Sequence, residues 1–189
     1  MLHDPIANRR SLRAFDPDHQ LSQLESGSLL EAARWAPSAM NRQPWAFLLG
    51  HRGDGTFSGI AATLSGNNQL WAPSASALLV AMVDNEDALA ETSVGRAYEL
   101  GLAVGQLGIQ AQAMGLVTHQ IGGFDADRLR REFAIPQQLR PMVVLAVGAS
   151  GSPASLPDNL RERELAPRHR QPVTEWLFVD AWADTLNAA

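Results

Sequence analysis

Apolar residues along the chain alternate between helical and strand spacing, and the changes of period divide it into elements. Residues 21–36 predict the first strong helix. Ser22 and Glu25 stand at capping-box spacing, Leu21, Leu24, Ala32 and Ala36 fall near one face, and Pro37 ends the run. After an irregular polar stretch from Ser38 to Gln43, the apolar run 45–49 predicts a buried strand stopped by Gly50. A stretch containing Gly, Ser and Asn follows. The unbroken run Ala77-Leu78-Leu79-Val80-Ala81-Met82-Val83, closed by Asp84 and Asn85, predicts a central strand.

A long helix is predicted over residues 92–114, with Leu100, Ala103, Val104, Leu107, Ala111 and Met114 at helical spacing and Gly115 as its stop. Leu102 and Ile109 make it apolar nearly all round, which places it inside the molecule or in a subunit contact. Gly101, Gly105 and Gly108 each weaken it by about 1 kcal/mol relative to Ala. Close approach of another helix or of a cofactor would compensate. A short strand from Leu116, a helix capped by Asp125 and running to Phe133, and a strand over 142–147 complete the regular part, followed by a loop over 148–157. The charged run 161–164 is followed by Pro167-Arg168-His169-Arg170-Gln171-Pro172, which the two prolines hold extended. Trp176 and Trp182 in the tail each need a surface to dock on, in their own subunit or a neighbour. Elements of both kinds argue for a single α+β domain spanning 1–189, although this pattern also permits a doubly wound sheet.

With 189 residues and 46% apolar composition, the chain can build a core without cross-links, and it has no Cys to make them. All 15 basic side chains are Arg, so Schiff-base chemistry is excluded and any anion site must use guanidinium groups, main-chain N–H groups or helix ends. A net charge of -5 argues against a nucleic-acid or membrane partner. No stretch reads as a leader or a membrane span, so a cytoplasmic protein is expected. No two of the five His stand at ligand spacing, so no metal site is expected.

Arg9, Arg10, Ser11 and Arg13 put three guanidinium groups and a hydroxyl within five residues. On its own that is equally a solvated basic turn. It could also hold a phosphate and present a cation to a second electron-rich group. Arg168 and Arg170, alternating in an extended segment, point to one side as a second anion fork. Two arginine sites and one Gly-lined apolar helix suggest a phosphorylated aromatic cofactor.

Four segments occur in order: Arg9-Arg10-Ser11-Leu12-Arg13-Ala14-Phe15; Ala36-Pro37-Ser38-Ala39-Met40-Asn41-Arg42-Gln43-Pro44-Trp45; Gly122-Gly123-Phe124-Asp125; and Arg168-His169-Arg170-Gln171-Pro172. Together they resemble the nitroreductase family of FMN-dependent oxidoreductases over nearly the whole chain. The resemblance implies a mostly antiparallel or mixed sheet covered by helices, and a homodimer whose C-terminal segments extend onto the partner subunit. It implies an FMN site in which Arg9, Arg10 and Ser11 bind the cofactor, Arg13 faces the pyrimidine edge of the ring, and Arg168 and Arg170 grip the phosphate. Pro37, Ser38 and Asn41 would reach the flavin from the other subunit. Asn67 or Asn68 would stand at the ring edge, and Gln120, Gly122 and Gly123 would pass beside N5, where many members carry Glu in place of Gly122. NAD(P)H would deliver hydride to N5, and a nitroaromatic, quinone or similar small-molecule acceptor would then leave reduced, in a ping-pong cycle with no side-chain nucleophile. A different flavin reaction on the same fold (dehalogenation, ene reduction, flavin fragmentation) and a non-catalytic FMN-binding dimer are the alternatives. Only about eight residues separate Val83 from the helix near Thr92, where many members have a longer excursion, which implies a more open pocket.

Overall fold

A computed structural model of the chain describes residues 1–84 and 92–178. In chain order they form α1 (Asp4–Asn8), α2 (Gln23–Arg34), β1 (Trp45–His51), α3 (Gly55–Thr63), α4 (Asn68–Trp71), β2 (Ala77–Asp84), α5 (Thr92–Ala113), β3 (Val117–Ile121), α6 (Ala126–Glu132), β4 (Leu139–Gly148) and α7 (Asp158–Leu165). The short connection and the tail residue Trp182 singled out above lie outside the described residues.

The strands make one sheet in the order β1-β2-β4-β3, and every pairing is antiparallel, so the doubly wound alternative does not hold. As predicted, β2 is central. Its period of two divides the core: Leu78, Val80 and Met82 join a cluster with Phe57, Ile60, Trp71 and Leu129 on one face. Leu79, Ala81 and Val83 pack with Leu29, Ala33, Leu100, Val104 and Leu107 on the other. Between Ala81 and Met82 the register against β4 skips Met142, next to Pro141, which has no N–H to give the ladder.

Several expectations need correction. The first helix runs from Gln23 to Arg34 with Ser22 outside as its cap, and the capping box is formed in both directions. Its core-facing residues are Ser26, Leu29 and Ala33, whereas Leu24 is 81% exposed, because Ser22 sets the helix start and hence its rotation. β1 is a half-buried edge strand, and Gly50 continues it instead of stopping it. A Cβ at Gly50 would lie 2.3 Å from the Phe57 main-chain nitrogen, so glycine there lets the first turn of α3 close onto the strand. The Gly/Ser/Asn stretch folds into α3, capped by Asp54, and α4. The charged run 161–164 belongs to α7, whose Leu160 and Glu164 are buried one turn apart.

The long helix is found where predicted, stopped at Gly115 with φ +76°. Gly101 and Gly105 face outward, and a Cβ on either would meet nothing, so among the described residues the expected close approach is not made. They border instead an open groove of about 490 Å³ shared with Ala32, Trp35, Leu102 and Ile109. Trp176 is 60% exposed, so among the described residues it finds no surface to dock on.

Candidate functional site

Residues 10–16 run from the start of the chain along α7 and the end of β4. Phe15 bridges to Ser150, the Gly151 N–H donates to the Ala14 carbonyl at 2.8 Å, and the Asp16 N–H donates to the Ala149 carbonyl at 3.0 Å. The Arg10 guanidinium donates to the Glu164 and Ala166 carbonyls, both at 2.8 Å, where the C-terminal end of α7 favours a cation. Arg168 donates to the Arg9 carbonyl at 3.1 Å, and Arg9 reaches the Ser11 hydroxyl at 3.4 Å. Arg9, Arg10, Ser11, Arg168 and Arg170 thereby line one cleft of about 280 Å³. Among the described residues, no carboxylate lies within ion-pair distance of Arg9, Arg168 or Arg170. Guanidinium forks held by main-chain carbonyls, with no carboxylate partner for Arg9, Arg168 or Arg170 among the described residues, make a receptor for an oxyanion around a concave space.

Arg13 sits beside this cleft under different control. Oε1 of the buried Glu164 accepts from the Arg13 and Ala14 N–H groups at 2.8 and 2.9 Å, while Oε2 lies 3.6 Å from the Arg13 guanidinium. His119 on β3 is within 3.0 Å of the Leu12 carbonyl through Nδ1, which must therefore carry the proton. Burial lowers the His119 pKa from its ordinary value, outweighing the bond to Leu12 that raises it, so the ring is neutral at pH 7. Its ring lies 4.5 Å from that of Trp71, which in turn stacks on Phe15 at 6.1 Å.

β3 leads from His119 through the exposed Gln120 to Gly122, roughly 10 Å along the strand direction. There the chain meets the start of α4. The Ser65 N–H donates to the Gly123 carbonyl at 3.0 Å, and a Cβ on Gly123 would lie 2.9 Å from the Ser65 hydroxyl and 3.2 Å from the Asn68 amide nitrogen. A Cβ on Gly122 would meet nothing, so that side of the main chain is open. Of the two amide candidates, Asn68 lies beside Gly123, while Asn67 precedes α4 without a side-chain cap bond.

The third group, Pro37, Ser38 and Asn41, lies elsewhere, in the turn between α2 and β1. Met40, Asn41 and Gln43 all have positive φ, at 54°, 56° and 51°, in a turn without glycine. Bonds inside the turn, among them the Ser38 hydroxyl accepting from the Gln43 N–H at 3.0 Å, are joined by one from α5, where Glu99 accepts from the Ala39 N–H at 2.6 Å. Met40 is 85% exposed. Among the described residues, no hydrogen bond of this turn reaches the arginine cleft. Next to it, Glu31 is lowered to about 2 by its hydrogen bonds to Arg34 and to the Trp35 indole, fixing Trp35 at the edge of the α5 groove.

Sequence reasoning missed Glu164, Glu99 and His119. Glu164 was hidden within a charged run. Its i, i+4 relation to Leu160 was the available signal, since a charge on the apolar side of a helix needs a partner.

The sequence pattern defining the Nitroreductase family matches residues 6–56 and 57–149. An oxygen-insensitive NAD(P)H nitroreductase from Salmonella typhimurium is 27% identical over 184 residues, covering 74% of this chain and 84% of the relative. A Mycolicibacterium smegmatis protein, named as an uncharacterized 15.4 kDa protein in the ask 5′ region, is 34% identical over 149 residues, covering 74% of this chain and 99% of its own. A crystal structure described as an oxidoreductase containing FMN superposes with a TM-score of 0.87 at 30% identity, covering 96% of this chain and 93% of that one.

Proposed function

The chain belongs to the nitroreductase family, and on that premise we propose that it is a homodimeric, FMN-dependent oxidoreductase using NAD(P)H to reduce nitroaromatic, quinone or similar acceptors. The observation that carries the proposal is the meeting of Arg9, Arg10 and Ser11 with Arg168 and Arg170, from opposite ends of the chain, around one cleft. The donor set fits the cofactor: unpaired guanidinium groups and a hydroxyl for a phosphate dianion, then a separately held cation, then an amide and open main chain for a polar ring edge.

Bound FMN would supply the redox chemistry, taking hydride from the nicotinamide and passing electrons to the acceptor. Arg168 and Arg170 hold the phosphate with Arg9, Arg10 and Ser11. Arg13 places a cation where negative charge gathers on reduction, at the pyrimidine edge. Asn68, or in its place Asn67, and the Gln120, Gly122 and Gly123 segment border the ring. Pro37, Ser38 and Asn41 complete the site of the partner subunit. A dimer is supported by the open apolar groove on α5 and by a strained turn that, among the described residues, makes no hydrogen bond to the arginine cleft. Donor and acceptor use the pocket in turn, so parallel-line kinetics are expected. Among the described residues no helix is long and apolar enough to cross a membrane.

Purified protein mixed with FMN should bind it, lose its yellow absorbance on anaerobic addition of NADH or NADPH, and regain colour with a nitroaromatic or quinone. Binding without bleaching by either nicotinamide would reject the oxidoreductase reading, and failure to bind FMN would reject the site.

A further inference from the structure

We propose that Glu164 is a positioning residue of the flavin site, fixing the main chain at residues 13–14 and offsetting part of the Arg13 charge so as to set how strongly the site prefers reduced over oxidised cofactor. The inference rests on the reading of Arg13 as the cation at the pyrimidine edge. Glu164 is 5% exposed and its two oxygens have different tasks. Oε1 accepts two main-chain N–H groups, an arrangement that fixes where the Arg13 side chain leaves the backbone. Oε2 is buried, makes no hydrogen bond among the described residues, and stands 3.6 Å from the Arg13 guanidinium. At that separation the carboxylate offsets charge without taking up the guanidinium donors, which remain available to a ligand. Arg10, bound by the α7 carbonyls, ties the same helix end to the same segment, so the carboxylate is itself held in place.

Glu164→Gln separates the two tasks, because its amide oxygen can still accept both N–H groups while the charge is gone. Glu164→Ala removes both. FMN affinity is read by fluorescence quenching, and the midpoint potential by anaerobic equilibration with reference dyes. In Glu164→Gln we expect oxidised FMN to bind within about twofold of wild type and reduced FMN about tenfold more tightly, an upward potential shift of about 30 mV for a two-electron couple. Glu164→Ala should weaken oxidised FMN at least about tenfold, since two N–H groups lose their acceptor. In an Arg13→Met background, Glu164→Gln should no longer move the potential.

A potential unchanged or lowered in Glu164→Gln overturns the inference, as does a shift that persists without Arg13. Should Glu164→Gln not fold, Arg13→Met decides: its potential must fall, and an unchanged value overturns the proposal. A wild-type protein that takes up no FMN overturns the functional reading and this inference together. Wild-type binding with an unmoved Glu164→Gln potential overturns this inference alone.

Discussion

The arginine cleft and the turn at residues 38–43 are built in opposite ways. The cleft joins residues about 150 positions apart, and its geometry comes from contacts that only the folded chain can make: Arg10 and Arg13 on α7, Arg168 on the Arg9 carbonyl. The turn is local, carries three left-handed residues, and depends on one long-range bond to Glu99. Local strain without glycine persists only where surrounding structure imposes it. The cleft has its donors within a single chain, whereas the turn leaves Met40 exposed among the described residues. That difference is what a site shared between two protomers requires, and it can be tested from both sides.

The largest effect is expected for Arg168→Ala combined with Arg170→Ala. At about 1.5 to 3 kcal/mol for each charge-assisted bond, FMN affinity should fall by roughly two to four orders of magnitude, measured by fluorescence titration. Stability should change little, because both side chains are exposed. Mixing this variant with Asn41→Ala and exchanging subunits should restore about one quarter of wild-type activity, since half the dimers are mixed and each has one intact site. No recovery would mean that cleft and turn do not serve one site.

Gly151→Ala should come next. Its Cβ would lie 2.4 Å from the Phe15 carbonyl oxygen, so the segment carrying Arg13 must shift, at a cost of about 2 to 3 kcal/mol in urea unfolding. Met40→Gly should act oppositely, raising stability by about 1 kcal/mol through relief of positive φ while lowering specific activity. Smallest is a pH effect. Because the folded His119 pKa is lowered, its contribution to stability is present above about 6.5 and is lost as pH falls through the folded value. Unfolding at pH 7.5 and 5 should show a small loss of stability at the lower pH that His119→Gln, still able to donate to Leu12, abolishes.

Much of this protein was legible locally. The unbroken apolar run of β2, the capping box of α2, the Asp125 cap and the Gly115 stop depend on neighbours within a few residues, so period and spacing reveal them. The arginine and glycine motifs were legible for the same reason, as dense local groupings of uncommon chemistry. What failed locally failed for an identifiable cause: Gly50 reads as a breaker until the backbone of α3 is brought against it, and Glu164 reads as solvated until α7 turns it under residues 13–14.

Sequence alone thus determined which groups were available, guanidinium forks without Lys or Cys, and where the central strand, the long helix and several helix caps lie. Tertiary structure decided which groups meet, which of the arginines stay free for an anion, and which are engaged by α7. The reason is physical: propensity, capping and period act over one or two turns, whereas desolvation and charge pairing depend on which distant segments the sheet brings together.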